Sequence, residues 1–255
     1  MKILLVGQPN VGKSCLLNAL VGPKVAVSNY PGTTVEVTRA EKVFNHTKIE
    51  LEDTPGIYSI SDRSEEEKIT ERALFEEKPD GAIVIADATS LGRNLYLALQ
   101  VLEAQIPIIL ALNFIEDAEK KGIKINCKKL EKLLNVPVIL INPLTGEGVN
   151  ELVREALKIE KIKGKVFTVR YDDDIERVID KISFKLKETH LPKRFVALRI
   201  LEGDADFYNY LRDEKVIKEA KEDLSINHPE VPRDISITRY GTASFITRNG
   251  TQPPP

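Results

Sequence analysis

Apolar positions recur along the first part of the chain in two alternating periods. Ile3-Leu4-Leu5-Val6 is a short apolar run that predicts a strand, and Cys15-Leu16-Leu17-Asn18-Ala19-Leu20 predicts a helix, which Gly22-Pro23 stops. The segment from Val25 to Thr34 is loop-like, with Asn29, Pro31 and Gly32 as breakers. Val35–Thr38 and Lys48–Glu52 alternate at period two and predict a strand pair, the second ended by Asp53-Thr54-Pro55-Gly56. A polar stretch from Ser59 to Lys68 leads into a helix through Glu77. Ala82–Ala86, Pro107–Leu112 and Val136–Ile141 are apolar runs that suit strands buried on both faces. Between them lie helices at Asn94–Glu103, with Leu95, Leu99 and Leu102 on one side, and at Lys128–Leu134. Gly146-Glu147-Gly148 opens a last amphipathic helix to Ile159. Alternation of this kind predicts an α/β fold, a mostly parallel six-stranded sheet with helices on both faces.

The pattern changes after Ile162. Gly164 lies in a lysine-rich link, and only Val166–Tyr171 still suggests a strand. Asp174–Lys187 places Ile175, Val178, Ile179 and Ile182 on one helical face, and helical patterns recur at Phe195–Leu201 and Glu214–Asp223. The organisation expected is a first domain over 1–162, a smaller all-helical domain over 163–245, and a disordered or non-native tail over 246–255.

Composition narrows the class. With 255 residues, 42% hydrophobic and 30% charged, the chain has ample material for a core. A net charge of −2 gives no electrostatic footprint for nucleic acid. Cys15 and Cys127 offer neither a disulfide framework nor zinc spacing, and His46, His190 and His228 are scattered. No run approaches the ~20 apolar residues of a membrane helix.

The chemistry is concentrated first in Gly7-Gln8-Pro9-Asn10-Val11-Gly12-Lys13-Ser14, between the first strand and first helix. GxxxxGK[ST] in that setting is a phosphate-binding loop. Backbone N–H groups and the positive helix end face the phosphates, and a Cβ at Gly7 or Gly12 would crowd their approach. Lys13 is placed to reach the β- and γ-phosphates and Ser14 to hold Mg²⁺, with Cys15 near the α-phosphate. Asp53-Thr54-Pro55-Gly56 at a strand end adds a carboxylate for Mg²⁺ and the Gly56 N–H for the γ-phosphate. In Pro31-Gly32-Thr33-Thr34, Thr34 is the candidate for closing over Mg²⁺, with Thr33 competing.

Two further stretches bear on the base. Asn113-Phe114-Ile115-Glu116 has the form of a guanine-reading NxxD box in which Glu116 replaces Asp and adds one methylene. A carboxylate there accepts from the two guanine N–H groups, donors that adenine lacks. Asp117 is the neighbouring alternative. Asn142-Pro143-Leu144 stands where a Ser-Ala-Lys-like box belongs and departs from it at its first two positions.

With these boxes in place, the chain resembles the cytosolic GTP-binding region of the FeoB ferrous-iron transport family. Asn29-Tyr30-Pro31-Gly32-Thr33-Thr34-Val35-Glu36 is similar to that family's NWPGVTVE. Tyr58-Ser59-Ile60 with Ser64-Glu65-Glu66-Glu67-Lys68 resembles its second switch, and Asp87-Ala88-Thr89 with Arg93-Asn94-Leu95-Tyr96-Leu97 its DAT…RNLYL. Arg194-Phe195-Val196-Ala197 and Leu201-Glu202-Gly203-Asp204 resemble its helical-domain RxxALxLLEGD, so the likeness spans about residues 1 to 245.

The resemblance implies a P-loop GTPase of Ras-like architecture that binds GTP and GDP with Mg²⁺ and regulates Fe²⁺ uptake. Its site would sit at the cytoplasmic face of the membrane. The implied partner is the permease portion of the transporter, in the same or a separate chain, with homo-oligomerisation through the helical domain also open. It further implies K⁺ as a catalytic cation ligated by Asn10, which on residues alone is a turn residue. Ile57 stands where Ras-type enzymes carry the water-orienting Gln, so slow hydrolysis is expected, at ~10⁻⁴–10⁻² s⁻¹. Arg63 and Arg93 are expected as solvated surface residues, Glu65–Glu67 as an exposed helix start, and Asp87 as a helix cap. Two alternatives stay open: an Era-like RNA-associated GTPase, and a nucleotide-binding module with relaxed guanine specificity.

Overall fold

The computed structural model describes residues 1–22, 26–61, 64–162 and 167–252. The expectations for Pro23, Arg63 and Gly164 lie outside them. The chain divides into two compact units, Met1–Phe167 with Ala243–Pro255, and Thr168–Thr242.

The first unit begins with β1 (Lys2–Gly7), α1 (Lys13–Val21), β2 (Ala26–Asn29), β3 (Glu36–Phe44), β4 (Thr47–Asp53), α2 (Glu65–Phe75) and β5 (Gly81–Asp87). It continues through α3 (Leu91–Glu103), β6 (Ile108–Asn113), α4 (Ile115–Lys120), β7 (Lys124–Ile125), α5 (Cys127–Leu134), β8 (Val138–Leu140) and α6 (Val149–Ala156). Its main sheet has the order β2-β3-β4-β1-β5-β6-β8. β4, β1, β5, β6 and β8 run parallel, while β3 is antiparallel to β4 and β2 to β3. The central strands are buried except at Lys2, which begins β1, and Asp87, which ends β5, which is why they read as apolar runs. Side chains alternate across the sheet. Ile3, Leu5, Ile83, Ile85 and Ile109 pack with Leu16, Leu17 and Leu20 of α1 and with Val149 and Leu152 of α6.

Three expectations are corrected here. The main sheet has seven strands instead of six, because residues 26–29 of the expected loop pair with β3. All four β2 residues are exposed, so no burial pattern marks them in sequence. Phe167–Tyr171 is not a strand; Val169 and Tyr171 are buried in irregular backbone instead. Residues 246–252 are not a loose tail. Residues 246–250 complete a long helix, and β9 (Thr251–Gln252) pairs antiparallel with β7.

The second unit contains α7 (Asp173–Phe184), α8 (Lys193–Leu201), α9 (Lys215–Leu224) and the larger part of α10 (Val231–Gly250). α10 was not expected, since polar residues interrupt its apolar face. The family-like LEGD stretch is structural. The Glu202 carboxylate accepts from Arg239 at 2.7 Å and from Arg199 at 3.2 Å, while Asp204 accepts from Arg199 and from the Asp206 N–H. Burial pushes the Glu202 carboxyl up, but Arg239 and Arg199 outweigh it and hold it below its ordinary range. Among the described residues no helix is long and apolar enough to cross a membrane.

Candidate nucleotide site

β1 delivers the chain to the phosphate-type loop, and α1 leaves it. Gly12 caps α1 with φ +98°, and a Cβ there would lie 2.5 Å from the Asn113 Nδ2. Glycine is required on both counts. Asn10 also adopts a left-handed conformation, φ 64°, with its side chain exposed. Pro9 is half-buried and Val11 buried. Gln8 is buried and donates to the Arg93 carbonyl at 2.9 Å, which ties the loop to α3. The Arg93 residue is exposed, as expected of a surface arginine.

The Lys13 ammonium is buried over the loop, 3.4 Å from the Gly7 carbonyl and 3.3 Å from that of Gln8. Burial pulls its pKa down, and the Asp53 carboxylate partly restores it. Asp53 ends β4 and its carboxylate Oδ2 accepts from the Ser14 hydroxyl at 2.6 Å. Burial raises the Asp53 pKa, opposed by Ser14 and Lys13. Its other oxygen, Oδ1, is buried without a hydrogen-bond partner. A buried acceptor of this kind beside a hydroxyl suits a hydrated Mg²⁺. The donor set therefore fits the ion expected there.

The segment after β4 closes against the loop. Thr54 donates through both its N–H and its hydroxyl to the Leu5 carbonyl, and the Ile57 N–H donates to the Gly7 carbonyl at 3.2 Å. A Cβ on Gly56 would lie 2.9 Å from Pro9 and 3.0 Å from the Lys13 Nζ. Ile57 is buried, so its side chain packs inward. Gln100 of α3 clasps Ile60, its Oε1 accepting the Ile60 N–H at 2.8 Å and its Nε2 donating to the Ile60 carbonyl. That clasp was not anticipated, because a Gln within an apolar helix face has no distinguishing spacing. α2 then starts on a side-chain N-cap, the Ser64 hydroxyl accepting from the Glu67 N–H, with Glu65 and Glu66 exposed. Asp87 caps the turn before α3 by accepting from the Thr89 N–H at 2.7 Å, as expected.

Residues 30–35 form a closed turn. The Tyr30 N–H donates to the Val35 carbonyl, while the Thr33 N–H and hydroxyl both donate to the Tyr30 carbonyl. Thr33 is half-buried within the turn, Gly32 adopts φ +80°, and Thr34 is exposed.

The two base-reading stretches occupy loops after β6 and β8. Asn113 is buried, and its Nδ2 donates to the Val11 carbonyl at 3.0 Å, so it braces the phosphate-type loop. Glu116 is exposed at the start of α4, and Asp117 pairs with Lys120 at 3.2 Å. Asn142 shapes its own turn by accepting from the Leu144 and Thr145 N–H groups. Pro143 is buried and Leu144 is 87% exposed. Cys15 is half-buried on α1. Among the described residues no group of three or more His, Cys, Asp or Glu side chains is arranged to hold a metal by itself.

Comparison with known proteins agrees with this geometry. Residues 1–156 match the family model for ferrous iron transport protein B, and residues 171–252 match that for the FeoB cytosolic helical domain. The Fe(2+) transporter FeoB of Escherichia coli (strain K12) is 37% identical over 213 residues, covering 80% of this chain and 27% of that protein. The Fe(2+) transport protein A/Fe(2+) transporter FeoB fusion protein of Porphyromonas gingivalis is 33% identical over 225 residues, covering 84% and 26%. The chain thus spans about a quarter of the length of these relatives. The apo cytosolic domain of T. maritima FeoB superposes with a TM-score of 0.88 at 31% identity, 99% of each chain being covered. A GDP-bound mutant G-domain of S. thermophilus FeoB gives 0.89 at 32% identity, covering 99% of this chain and 100% of that one. With both domain models matched in order along one chain, this protein belongs to the FeoB ferrous iron transport family, as its N-terminal cytosolic region with a P-loop GTPase fold.

Proposed function

We propose that the chain binds GTP and GDP with Mg²⁺ and hydrolyses GTP slowly, as a switch that regulates ferrous-iron uptake through the permease portion of the transporter. The observation that carries the reading is the Ser14–Asp53 pair at 2.6 Å with the orphaned Asp53 Oδ1, together with the buried Lys13 ammonium whose charge acts on Asp53. A hydroxyl, a carboxylate and an ammonium in that order suit a metal-bound polyphosphate. Relatives solved with GDP and with GMPPNP support the same ligand class.

In this reading the N–H groups of residues 10–14 and the start of α1 hold the phosphates, and Lys13 counters charge at the β- and γ-positions. When bound, Mg²⁺ would supply positive charge that offsets the charge developing on the phosphates. Ser14 and Asp53 would hold it, and Thr34 would join them on closure. Gly56 offers its N–H to the γ-phosphate. Ile57 is buried and cannot orient water, so that role falls to backbone or to another switch residue, which keeps turnover slow. Asn10 is the proposed K⁺ ligand; its backbone is left-handed and the residue is exposed. Water adds to the γ-phosphorus, the bond to the β-bridging oxygen breaks, and GDP and phosphate leave.

Phosphate release from GTP tests this in KCl and NaCl at equal ionic strength. Wild type should release phosphate faster in KCl, Asn10→Ala should lose that advantage, and Lys13→Ala should fall to background. Release indistinguishable between the two salts removes the K⁺ role. No release above buffer removes the hydrolysis.

A further inference from the structure

Tyr30 is the buried residue of an otherwise exposed switch stretch. Its neighbours on β2 are all exposed, as are Pro31, Gly32 and Thr34. Tyr30 itself is 8% exposed and packs against Val37 of β3 and Ile69 of α2. Its hydroxyl donates to the Glu77 Oε1 at 2.7 Å. Burial, and then Glu77, raise the phenol pKa, so it stays a donor.

Glu77 is held from two further sides. Its Oε2 pairs with the Lys2 ammonium at the start of β1 and lies 3.9 Å from the Arg39 guanidinium of β3. Lys2 and Arg39 are in turn joined by the fully buried Glu52, at 2.9 and 3.0 Å. The acceptor is thus anchored in the sheet, and the donor belongs to an edge segment.

In the same conformation neither switch hydroxyl is bonded to the Ser14–Asp53 pair among the described residues. Thr33 bonds within its own turn, Thr34 faces solvent, and the Ser14 hydroxyl is taken by Asp53. The Thr33 turn is closed on the Tyr30 backbone, whose N–H and carbonyl both take part.

We propose that Tyr30 and Glu77 are positioning residues. Their hydrogen bond latches the 26–35 segment as an added strand with Thr34 withdrawn, and closure of Thr34 on a triphosphate requires the latch to open. The inference rests on the nucleotide-switch reading above. Loss of the latch then enlarges the fraction of molecules competent to close, which selectively strengthens binding of the triphosphate form.

The test uses the whole chain as wild type, Tyr30→Phe and Glu77→Gln. Phe keeps the ring and its packing but loses the bond to a charged acceptor; Gln keeps an acceptor but loses the charge. In the nucleotide-free chain, amide hydrogen exchange over residues 26–30 should be about tenfold faster in Tyr30→Phe, with Glu77→Gln intermediate. The ratio of GMPPNP to GDP affinity should shift about tenfold toward GMPPNP in Tyr30→Phe, with GDP affinity within about twofold of wild type. Exchange and affinity ratio both unchanged in Tyr30→Phe would overturn the latch. Exchange that accelerates while GDP and GMPPNP affinities fall together would make Tyr30 merely structural, which also overturns it. A wild-type chain that binds neither nucleotide refutes the switch reading and the latch's role in it, whereas unaltered exchange in a chain that binds both refutes the latch alone.

Discussion

The Asn113 side-chain amide donates to the Val11 carbonyl across 3.0 Å, joining the end of β6 to the phosphate-type loop. A residue expected to face a purine thus braces the Gly7–Ser14 loop. Asn113→Ala should remove a buried hydrogen bond worth about 1–3 kcal/mol. We expect a lower thermal midpoint in the nucleotide-free chain, and GDP affinity reduced without any gain for adenine nucleotides. An unchanged midpoint would confine Asn113 to base contact.

Gly56 meets Pro9 and Lys13 so closely that a methyl group has no room, at 2.9 and 3.0 Å. Gly56→Ala should displace the Lys13 ammonium or the whole 54–57 turn. GMPPNP affinity, measured by calorimetry, should fall about tenfold, or about 1.4 kcal/mol. Wild-type affinity in the variant would show that the segment moves away freely when nucleotide binds.

Glu116 stands exposed at the third position after Asn113, while Asp117 is paired with Lys120. We expect Glu116→Ala to lose about tenfold or more in GDP affinity and Asp117→Ala to lose little. Calorimetry with GTP, ATP and XTP on both variants checks this. A loss confined to Asp117→Ala would place the reading carboxylate one residue later.

In the helical unit, both ring nitrogens of His228 face carboxylates, Asp234 at 2.9 Å and Asp174 at 3.0 Å, with Asp172 at 3.8 Å. Only an imidazolium carries a hydrogen on each nitrogen. Burial opposes that charge, but Asp234 and Asp174 outweigh it and raise the pKa above its ordinary 6.5. Asp174 is held at about 2, through Asn227 first and His228 further. The His228 contribution is complete below pH 6.5 and is lost as pH rises through the raised value. The Asp174 contribution is complete above 3.8 and is lost as pH falls toward about 2. Urea midpoints of wild type and His228→Gln should therefore differ more at about pH 5.5 than at about pH 8.5. An equal difference at both would mean that His228 acts only by packing.

Much of the site was legible before any coordinates. Gly7, Gly12, Lys13 and Ser14 announce themselves by spacing, because a loop that admits phosphate has few sequence solutions. Asp53 was legible from its place at a strand end. The central strands were legible because burial on both faces makes their interiors unbroken apolar runs, with Lys2, Asp87 and Asn113 only at strand ends. β2 was not, since an exposed edge strand has no apolar alternation to reveal it. His228 looked scattered because one of its partners, Asp174, lies on α7 far away in sequence, and Asp234 six residues on is unremarkable by itself.

The sequence by itself determined the α/β class, the family and the Gly7–Ser14 loop between β1 and α1, since each depends on local spacing or on apolar runs set by burial. Tertiary structure alone decided what Asn113, Gln100 and Tyr30 do. Their partners, Val11, Ile60 and Glu77, are brought to them by strand order and helix packing. It also set the surroundings of the two switch threonines: the turn closed on Tyr30 engages the Thr33 hydroxyl, and Thr34 is exposed. A hydrogen bond across the fold depends on where the backbone carries its two ends, and spacing along the chain does not record that.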